Sequence, residues 1–449
     1  MRRTATALAG MMVLSLSTAE ARKSPPNAID SLQPGEWFEV PNSQMKALDP
    51  DPSRTASYSA VEGVYAVMND WSGGAYDSQR DRLIVWGGGH GGYAGNEIYV
   101  FDVNALAWQR LTNPSDPPAT DVPYAPDGGP CSRHTYNYLQ YLPAPADRFC
   151  TFGGAGFYQT GQTGTQHVDA FNFGTSAWET GKFADTPANN LIGSITAFDP
   201  VTGHLWQHGG LSSWLVEFDP LANAWTAHGD QWNGTYLDYY KTADIDPKRR
   251  KLVAVGNGEV WSWDIAATGT ITGTKLTTTG ATGILSSNST GFVYDAAIDQ
   301  FVAWSGGANV YTLSLDTLVW SQVTPAATNT VIPTGPNSNG TFGRFRYIPS
   351  KNAFVVVNAV DQDVFVYKLS AGGGSPSPAP PPPAPPAPAP APGPAPSTPA
   401  PSSGSSGGSH KTCGCGSVSG QVPWVALVLG AAVLYFSRRT RNETPELDS

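Results

Sequence analysis

A unit of about 45 to 50 residues recurs six times between residues 70 and 370, and this repeat limits the possible folds more than any other feature of the chain. Each unit begins with a short apolar stretch that ends in an aromatic or aliphatic residue and a turn. These starts are Tyr76-Asp77, Tyr141-Leu142-Pro143, Phe198-Asp199-Pro200, Ile245-Asp246-Pro247, Tyr294-Asp295 and Tyr347-Ile348-Pro349. A constant period of this length predicts six similar modules.

Two further strands are predicted in every unit. The second strand runs into glycines in four units, at 83–88, 149–154, 205–210 and 301–307. The third strand has alternating apolar residues and is predicted to end at Asp102, Asn172, Asp219, Asp264, Ser314 and Lys368. A tryptophan follows six residues later at Trp108, Trp178, Trp225 and Trp320. Alternating short strands separated by turns indicate four-stranded antiparallel sheets, and the period is that of a β-propeller.

The two ends of the repeat region complement each other. The last unit stops at Leu369 without a fourth strand, while residues 36–40 form an isolated strand pattern around Trp37. We therefore predict an all-β, six-bladed propeller over residues 35–370, closed by the N-terminal strand. A series of separate antiparallel sandwiches is the alternative, and the constant register disfavours it.

The spacing of the glycines, tyrosines and tryptophans resembles the kelch repeat of galactose-oxidase-type propellers. The resemblance covers roughly residues 36–370 and implies the fold. It leaves the activity open, because propellers have many unrelated functions.

The N-terminal residues have the features of an export signal. Arg2 and Arg3 precede an apolar run over 5–16, and Ala19-Glu20-Ala21 is a small-x-small cleavage pattern. We expect a signal peptide at 1–21 and an exported protein.

The C-terminal region has the composition of a stalk followed by an anchor. Residues 371–409 are rich in Pro, Ala, Ser and Gly, which favours an extended linker. Residues 410–449 contain Cys413 and Cys415, an uncharged stretch over 416–437, and arginines from Arg438. This order predicts a transmembrane segment with its positive end inside, and it resembles the C-terminal sorting signals of myxobacterial surface proteins. The expected location is the cell envelope or outer surface.

Charge and cysteine content exclude some functions. The formal net charge is −10 and the folded region has no basic block, so nucleic-acid binding is not expected. Export permits a disulfide between Cys131 and Cys150. If 132–141 and 148–153 form a hairpin, however, Cys150 faces the middle of the first strand and Cys131 lies beyond its end, so the pairing stays open.

The candidate site residues lie in loops that a propeller brings to one face. A glycine-rich loop at 87–97 contains His90, Tyr93 and Asn96. The second blade begins with Arg133 and His134. The second blade's loop and the equivalent places in other blades add Tyr158, Gln162, His167, Asn69, Asp70, Asp238, Tyr239, Tyr240, Lys241 and Arg344.

Basic, aromatic and imidazole groups in one ring suit a hydroxyl-rich or acidic ligand. The set resembles propeller-type polysaccharide lyases, which implies His134 or His90 as base, Tyr93 or Tyr240 as acid, and Arg133 as carboxylate clamp. Lys241, Arg344, Asn96 and Tyr158 are then further ligand-binding candidates.

Structural explanations stand beside these roles. His90 is explained equally by a polar turn, Arg133 and His134 by ties between blades through carbonyl groups, and the tryptophans by blade packing.

The sequence lacks the residues that several other chemistries require. A galactose-oxidase-type copper centre requires an adjacent Tyr-His pair, and this sequence has none. No zinc-type Cys/His cluster, nucleophile elbow or phosphate-binding loop occurs, so no metal site or cofactor is predicted, although calcium stays open. Two functions remain. The preferred one is a surface recognition propeller that binds a glycan or a surface protein, and the alternative is a lyase acting on an acidic polysaccharide.

Overall fold

The computed structural model describes residues 28–89, 91–156, 164–188, 192–193, 195–210, 214–229, 237, 240–288 and 290–371. The predicted signal peptide, nearly all of the predicted linker and the whole segment 410–449 lie outside these residues. Across the described ranges, no helix is long and apolar enough to cross a membrane.

Strand β1 (Glu36–Glu39) opens the fold, and the strands of each blade then follow in chain order. Blade one contains β2 (Gly74–Asp77), β3 (Arg82–Val85), β4 (Tyr99–Asp102) and β5 (Ala107–Arg110). Blade two contains β6 (Leu139–Leu142), β7 (Arg148–Ala155), β8 (Gly164–Asn172) and β9 (Ala177–Glu179). Blade three contains β10 (Ile195–Phe198), β11 (Leu205–His208), β12 (Leu215–Asp219) and β13 (Ala224–Ala227).

Blade four contains β14 (Thr242–Asp246), β15 (Lys251–Gly256), β16 (Glu259–Asp264) and β17 (Thr274–Lys275). Blade five contains β18 (Thr279–Gly280), β19 (Gly291–Asp295), β20 (Gln300–Trp304), β21 (Val310–Ser314) and β22 (Val319–Val323). Blade six contains β23 (Phe345–Ile348), β24 (Ala353–Val356) and β25 (Phe365–Lys368). The helical turns are one α-helix, α1 (Ala66–Asn69), and 3-10 turns at Ala28–Ser31, Met45–Leu48, Gly63–Tyr65, Thr282–Ser286 and Phe342–Arg344.

The sheets confirm the predicted propeller and its closure. Every third strand ends at its predicted residue. The N-terminal strand completes blade six, because β1 pairs antiparallel with β25 and places Trp37 opposite Tyr367. The first strands β2, β6, β10, β14, β19 and β23 each pack against the first strands of both neighbours, which closes the ring around a central axis.

Two blades depart from the regular pattern. Blade four ends in a two-residue outer strand, β17, and has no tryptophan in it. Blade five gains a short fifth strand, β18, which pairs parallel with β22. The repeat pattern did not predict either feature.

The core consists of the contacts between neighbouring blades. Between blades one and two, for example, Ile84 and Trp86 pack with Leu139 and Phe149, and all four are buried. Three of the four repeated tryptophans pack on a phenylalanine of the adjacent third strand, as in Phe218–Trp225, whose ring centroids are 4.8 Å apart. The fourth, Trp320, lies opposite Leu313. This geometry favours the interpretation of these tryptophans as packing anchors.

The face on which the first strands end, here called the turn face, is joined by ion pairs. Asp77 at the end of β2 binds Arg80 at 3.1 Å, and Arg80 also binds Asp147 of blade two at 2.6 Å. Asp246 at the end of β14 binds Arg249 at 2.7 Å. The opposite face, on which the first strands begin and the second strands end, is called the loop face.

Cys131 and Cys150 are both buried free thiols. Cys150 lies opposite Gln140 in the ladder between β6 and β7, as the hairpin predicted, and the two cysteines are not bonded to each other. Burial raises the pKa of the Cys131 thiol to about 11, so it is a thiol at neutral pH.

Candidate functional site

Three aromatic residues occupy the same position in consecutive blades of the loop face. Trp71, Tyr136 and Phe342 each lie three residues before the first strand of blades one, two and six. Their φ angles are +47°, +41° and +47°. A bulky residue in this left-handed region costs about 1 kcal/mol or more, and such strain concentrates at binding and catalytic sites.

The three aromatic rings belong to one cluster at the mouth of the central channel. The ring of His134 lies 4.9 Å from Trp71 and 5.9 Å from Tyr136, between ring centroids. Tyr136 in turn lies 5.8 Å from Phe342 and 5.7 Å from Tyr138. Trp71 is half-buried, whereas the other four side chains are buried. We call these five residues the channel cluster.

Backbone contacts between blades fix the channel cluster. The amide of Tyr136 donates to the carbonyl of Trp71 at 2.7 Å, and the amide of Gly73 donates to Thr135 Oγ1 at 2.9 Å. A Cβ on Gly73 would lie 2.1 Å from the carbonyl oxygen of Tyr136. Glycine at 73 is therefore what allows blades one and two to approach this closely.

Polar groups cluster at the two residues that precede the half-buried Trp71, Asn69 and Asp70. Asn339 Nδ2 donates to the carbonyl of Asn69 at 2.8 Å, and Asn337 Nδ2 donates to Asn69 Oδ1 at 2.9 Å. Asp70 is only 6% exposed, and its Oδ2 accepts no hydrogen bond within the part of the chain that the structure describes. Desolvation, with a smaller contribution from Glu62, raises the pKa of Asp70 to about 7.

The three predicted cations of the ring make equivalent contacts within the protein. Arg133 Nε donates to the carbonyl of Gly153 at 3.1 Å, Lys241 Nζ to that of Gly256 at 2.8 Å, and Arg344 Nε to that of Val357 at 3.2 Å. Each acceptor lies within two residues of the end of the second strand of the same blade. All three side chains are fully buried.

The remaining donors of the two arginines also meet protein oxygens. Arg133 Nη2 lies 2.5 Å from Asp169 Oδ2, and its guanidinium stacks on the Trp86 ring at 5.3 Å. Arg344 donates to the carbonyl of Ser72 in blade one and, at 2.7 Å, to that of Gly340. Desolvation lowers the pKa of Arg344 to about 9, which leaves it charged at neutral pH. The stacking on Trp86 and the bond to Ser72 reach blade one and are of the blade-joining kind that the sequence offered as the alternative to ligand binding. The bonds of Arg133 to Gly153 and Asp169 lie within blade two.

The other predicted residues lie apart from the channel cluster or outside the described residues. The Tyr93 hydroxyl donates to Glu97 Oε1 at 2.5 Å inside the core between blades six and one, and desolvation raises the pKa of Tyr93. Asn96 Nδ2 donates to Ser115 Oγ at 2.9 Å and to the Pro130 carbonyl at 3.0 Å. Tyr240 precedes the first strand of blade four, with its carbonyl against Gly256. The residues outside the described ranges are His90, Tyr158, Gln162, Asp238 and Tyr239.

A second polar group on blade two contains His167. Its Nδ1 lies 2.8 Å from Asp185 Oδ1, and its ring lies 5.3 Å from that of Tyr124. Within the described ranges, no three His, Cys, Asp or Glu side chains are placed to hold a metal ion.

The sequence analysis did not single out Trp71, Tyr136 or Phe342. Their shared signal is an aromatic residue three positions before a first strand in blades six, one and two. Alignment of the strand starts would have found it, whereas a search for titratable side chains did not.

Comparisons with known proteins yield likenesses in fold. No family model matches the chain, and no curated protein matches it. Among solved structures, YjhT is 14% identical with a TM-score of 0.44, covering 69% of this chain and 95% of its own. XC5397 from Xanthomonas campestris, described as a gluconolactonase, is 10% identical with a TM-score of 0.42, covering 67% and 86%. A copper-bound fungal alcohol oxidase of the AA5 family is 12% identical with a TM-score of 0.39, covering 66% and 62%.

The blades and the ring closure define the class of the protein. It is a six-bladed all-β propeller whose sixth blade is completed by the N-terminal strand.

Proposed function

We propose that this protein is a cell-surface recognition propeller that binds a carbohydrate at the channel cluster of the loop face. The observation on which the proposal depends is the set of three left-handed aromatic residues, Trp71, Tyr136 and Phe342. Left-handed residues also recur in the turns between strands, as at Asp81 and Leu106, so it is the aromatic character of this set at one position of the loop face that favours a binding role. Aromatic ring faces are the usual surface on which apolar sugar faces stack.

The polar surroundings of Trp71 suit a hydroxyl-rich ligand. Asn337 and Asn339 bind Asn69, and Asp70 lies between Asn69 and Trp71 in the chain. Display at the surface is the second part of the proposal. It is supported by the signal-like residues 1–21, the Pro-rich stretch 371–409 and the apolar stretch 416–437.

The test is a glycan-binding screen with the full-length protein and two tryptophan variants. Trp71→Ala removes the half-buried ring of the channel cluster. Trp214→Ala is the matched control, because Trp214 is also half-buried but lies in blade three. We expect Trp71→Ala to lower affinity for the bound glycan about tenfold, as loss of one stacked ring costs about 1.4 kcal/mol. Equal binding by both variants, or binding to protein partners alone, would contradict the proposal.

The lyase alternative is favoured by one contact. The Tyr136 hydroxyl lies 3.5 Å from His134 Nδ1, so an acid and a base are adjacent in the channel cluster. In this arrangement Tyr136 takes the place that the sequence gave to Tyr93 or Tyr240. The same screen decides between the two functions if unsaturated uronate ends are followed by ultraviolet absorbance. Product that forms with the natural protein and disappears in His134→Ala would establish the lyase.

A further inference from the structure

We propose that the ligand of the channel cluster is cationic, an amino sugar or its polymer, and that the carboxylate of Asp70 pairs with its ammonium group. This inference rests on the proposed carbohydrate-binding function and specifies the charge of the ligand. The sequence alone had favoured an acidic or hydroxyl-rich ligand, because Arg133, Lys241 and Arg344 were expected to line the site.

The first argument is that the arginines near the first strands already bind oxygen atoms of the protein. Arg133 and Arg344 are bound by the oxygens described above, and Arg346 is bound in the same way. Its Nε donates to the Gly343 carbonyl at 3.0 Å and its Nη2 to the Gly74 carbonyl at 2.9 Å. An anionic ligand would have to break these buried contacts, and each broken contact leaves a buried carbonyl unpaired. The described residues therefore disfavour a uronate.

The second argument is the buried carboxylate of Asp70, one oxygen of which no described residue binds. Asp70 immediately precedes Trp71, is 94% buried, and has an oxygen that accepts no hydrogen bond from any described residue. That oxygen faces Gly92, where an added Cβ would lie only 2.4 Å away. A buried carboxylate without a donor is costly, and a bound cation removes this cost.

The charged groups around Asp70 reinforce this preference. Glu62 acts on Asp70 with like charge, and its amide binds the Gly92 carbonyl at 3.0 Å. The guanidinium of Arg344 reaches this segment at Ser72, where it binds a carbonyl and not the carboxylate. Glu62 therefore disfavours a further negative charge at Asp70, such as that of a uronate, and favours an ammonium group there.

The aromatic rings of the channel cluster fit the same ligand. Cations bind over the faces of Trp, Tyr and Phe, with Trp the most favourable. Trp71 is half-buried and adjacent in sequence to Asp70. One amino sugar can thus place its apolar face on the indole and its ammonium group toward the carboxylate.

The inference has a consequence for pH. Because the pKa of Asp70 is raised to about 7, a cation that pairs with the carboxylate must displace a proton near neutral pH. Affinity for a ligand of fixed positive charge should therefore rise with pH through this range. An uncharged sugar should show no such rise.

The experiment compares three oligosaccharides of matched length by titration calorimetry with the full-length protein. They are N,N,N-trimethyl-chitosan, whose charge does not titrate, neutral chitin, and oligogalacturonate. We expect the quaternised probe to bind about tenfold more tightly than chitin, and its affinity to rise up to about tenfold between about pH 6 and about pH 8. In Asp70→Asn, both the preference and the pH dependence should disappear while chitin binding remains.

Asp116→Asn is the matched control, since Asp116 is an exposed carboxylate outside the channel cluster. If Asp70→Asn does not fold, Asp70→Ser and the pH profile of the natural protein still test the inference. Tighter binding of oligogalacturonate, or equal binding of charged and neutral probes, would overturn it. Neutral binding that Trp71→Ala abolishes would then leave the proposed function standing. Absence of binding to all three probes would overturn both.

Discussion

The two faces of this propeller use charge in opposite ways. On the turn face, arginines join blades through carboxylates that are partly solvated: Arg249 binds Asp299 at 2.7 Å and Asp316 at 2.6 Å. On the loop face, the cations Arg133 and Arg344 are fully buried and bind mainly backbone carbonyls. The turn face thus repeats the pairing of an arginine with the aspartate that ends a first strand. On the loop face, different residue types from different blades make the contacts.

On the proposed function, this difference separates stability from recognition. Ion pairs at the ends of first strands follow from the repeat and hold neighbouring blades in place. The left-handed aromatic residues occur on the loop face, in blades six, one and two. A titratable residue near the channel is not by itself a sign of ligand binding, because Arg133 and Arg344 lie there bound to protein oxygens.

The largest expected effect is at Arg133. Arg133→Met leaves Asp169 charged and 2% exposed without its partner, which should cost about 3 to 5 kcal/mol of unfolding free energy. Urea unfolding measures the loss. The double variant Arg133→Met/Asp169→Leu should recover most of it, since both charges are then removed. A small loss of stability together with a large loss of glycan affinity would show that Arg133 is a ligand clamp after all.

A smaller effect is expected on the turn face. Arg249→Ala should cost about 2 to 3 kcal/mol, because Asp246 is fully buried and loses its ion pair. Its neighbour provides the control: Lys248 is 67% exposed and also pairs with Asp299, so Lys248→Ala should change stability by less than about 0.5 kcal/mol. Similar losses of unfolding free energy in the two variants would show that the exposed lysine and the arginine paired with a buried carboxylate contribute equally to stability.

The smallest effect concerns a titratable member of the turn face. His204 Nδ1 lies 2.7 Å from Glu217 Oε1, and this hydrogen bond raises the pKa of His204. Desolvation by itself raises the pKa of Glu217. Hydrogen bonds from His204 and His228 outweigh this effect and lower the pKa of Glu217 to about 2. The histidine contribution is present below about pH 6.5 and is lost as pH rises through its raised pKa. The Glu217 contribution is present above about pH 4.5 and is lost as pH falls toward 2.

Thermal unfolding of the natural protein and His204→Gln measures this contribution. The difference in stability between the natural protein and His204→Gln should be greatest between about pH 4.5 and about pH 6.5, and it should shrink by less than about 1 kcal/mol above that window. Other groups, such as Asp70 with its raised pKa, titrate in both proteins and cancel in this difference. An identical profile in both proteins would mean that His204 does not titrate against Glu217.

The fold was largely predictable because the repeat is local. The turn residues correctly predicted where all six third strands end, including Asp102 and Lys368. The isolated strand pattern around Trp37 predicted the closure of the ring. The added strand β18 was not predictable, because a two-residue parallel pairing leaves no period-2 pattern.

The site was less predictable for a physical reason. The sequence placed Arg133, Lys241 and Arg344 at corresponding positions, but Arg133 lies six residues before its first strand, whereas Lys241 and Arg344 lie one residue before theirs. Their acceptors near the ends of second strands are visible only in three dimensions. Asp70 lies four residues before its first strand, and its burial depends on packing against Gly92. Neither the composition nor the periodicity of the sequence predicts the left-handed backbone of Trp71.

Closure by the N-terminal strand also determines how the propeller resists a mechanical load. The last strand, β25, is hydrogen-bonded on one side to β24 and on the other to β1. Tension applied through the chain beyond Lys368 is therefore shared by two ladders. A propeller held by its C-terminal end would in this way transmit pulling force through an interior strand and not through an edge strand.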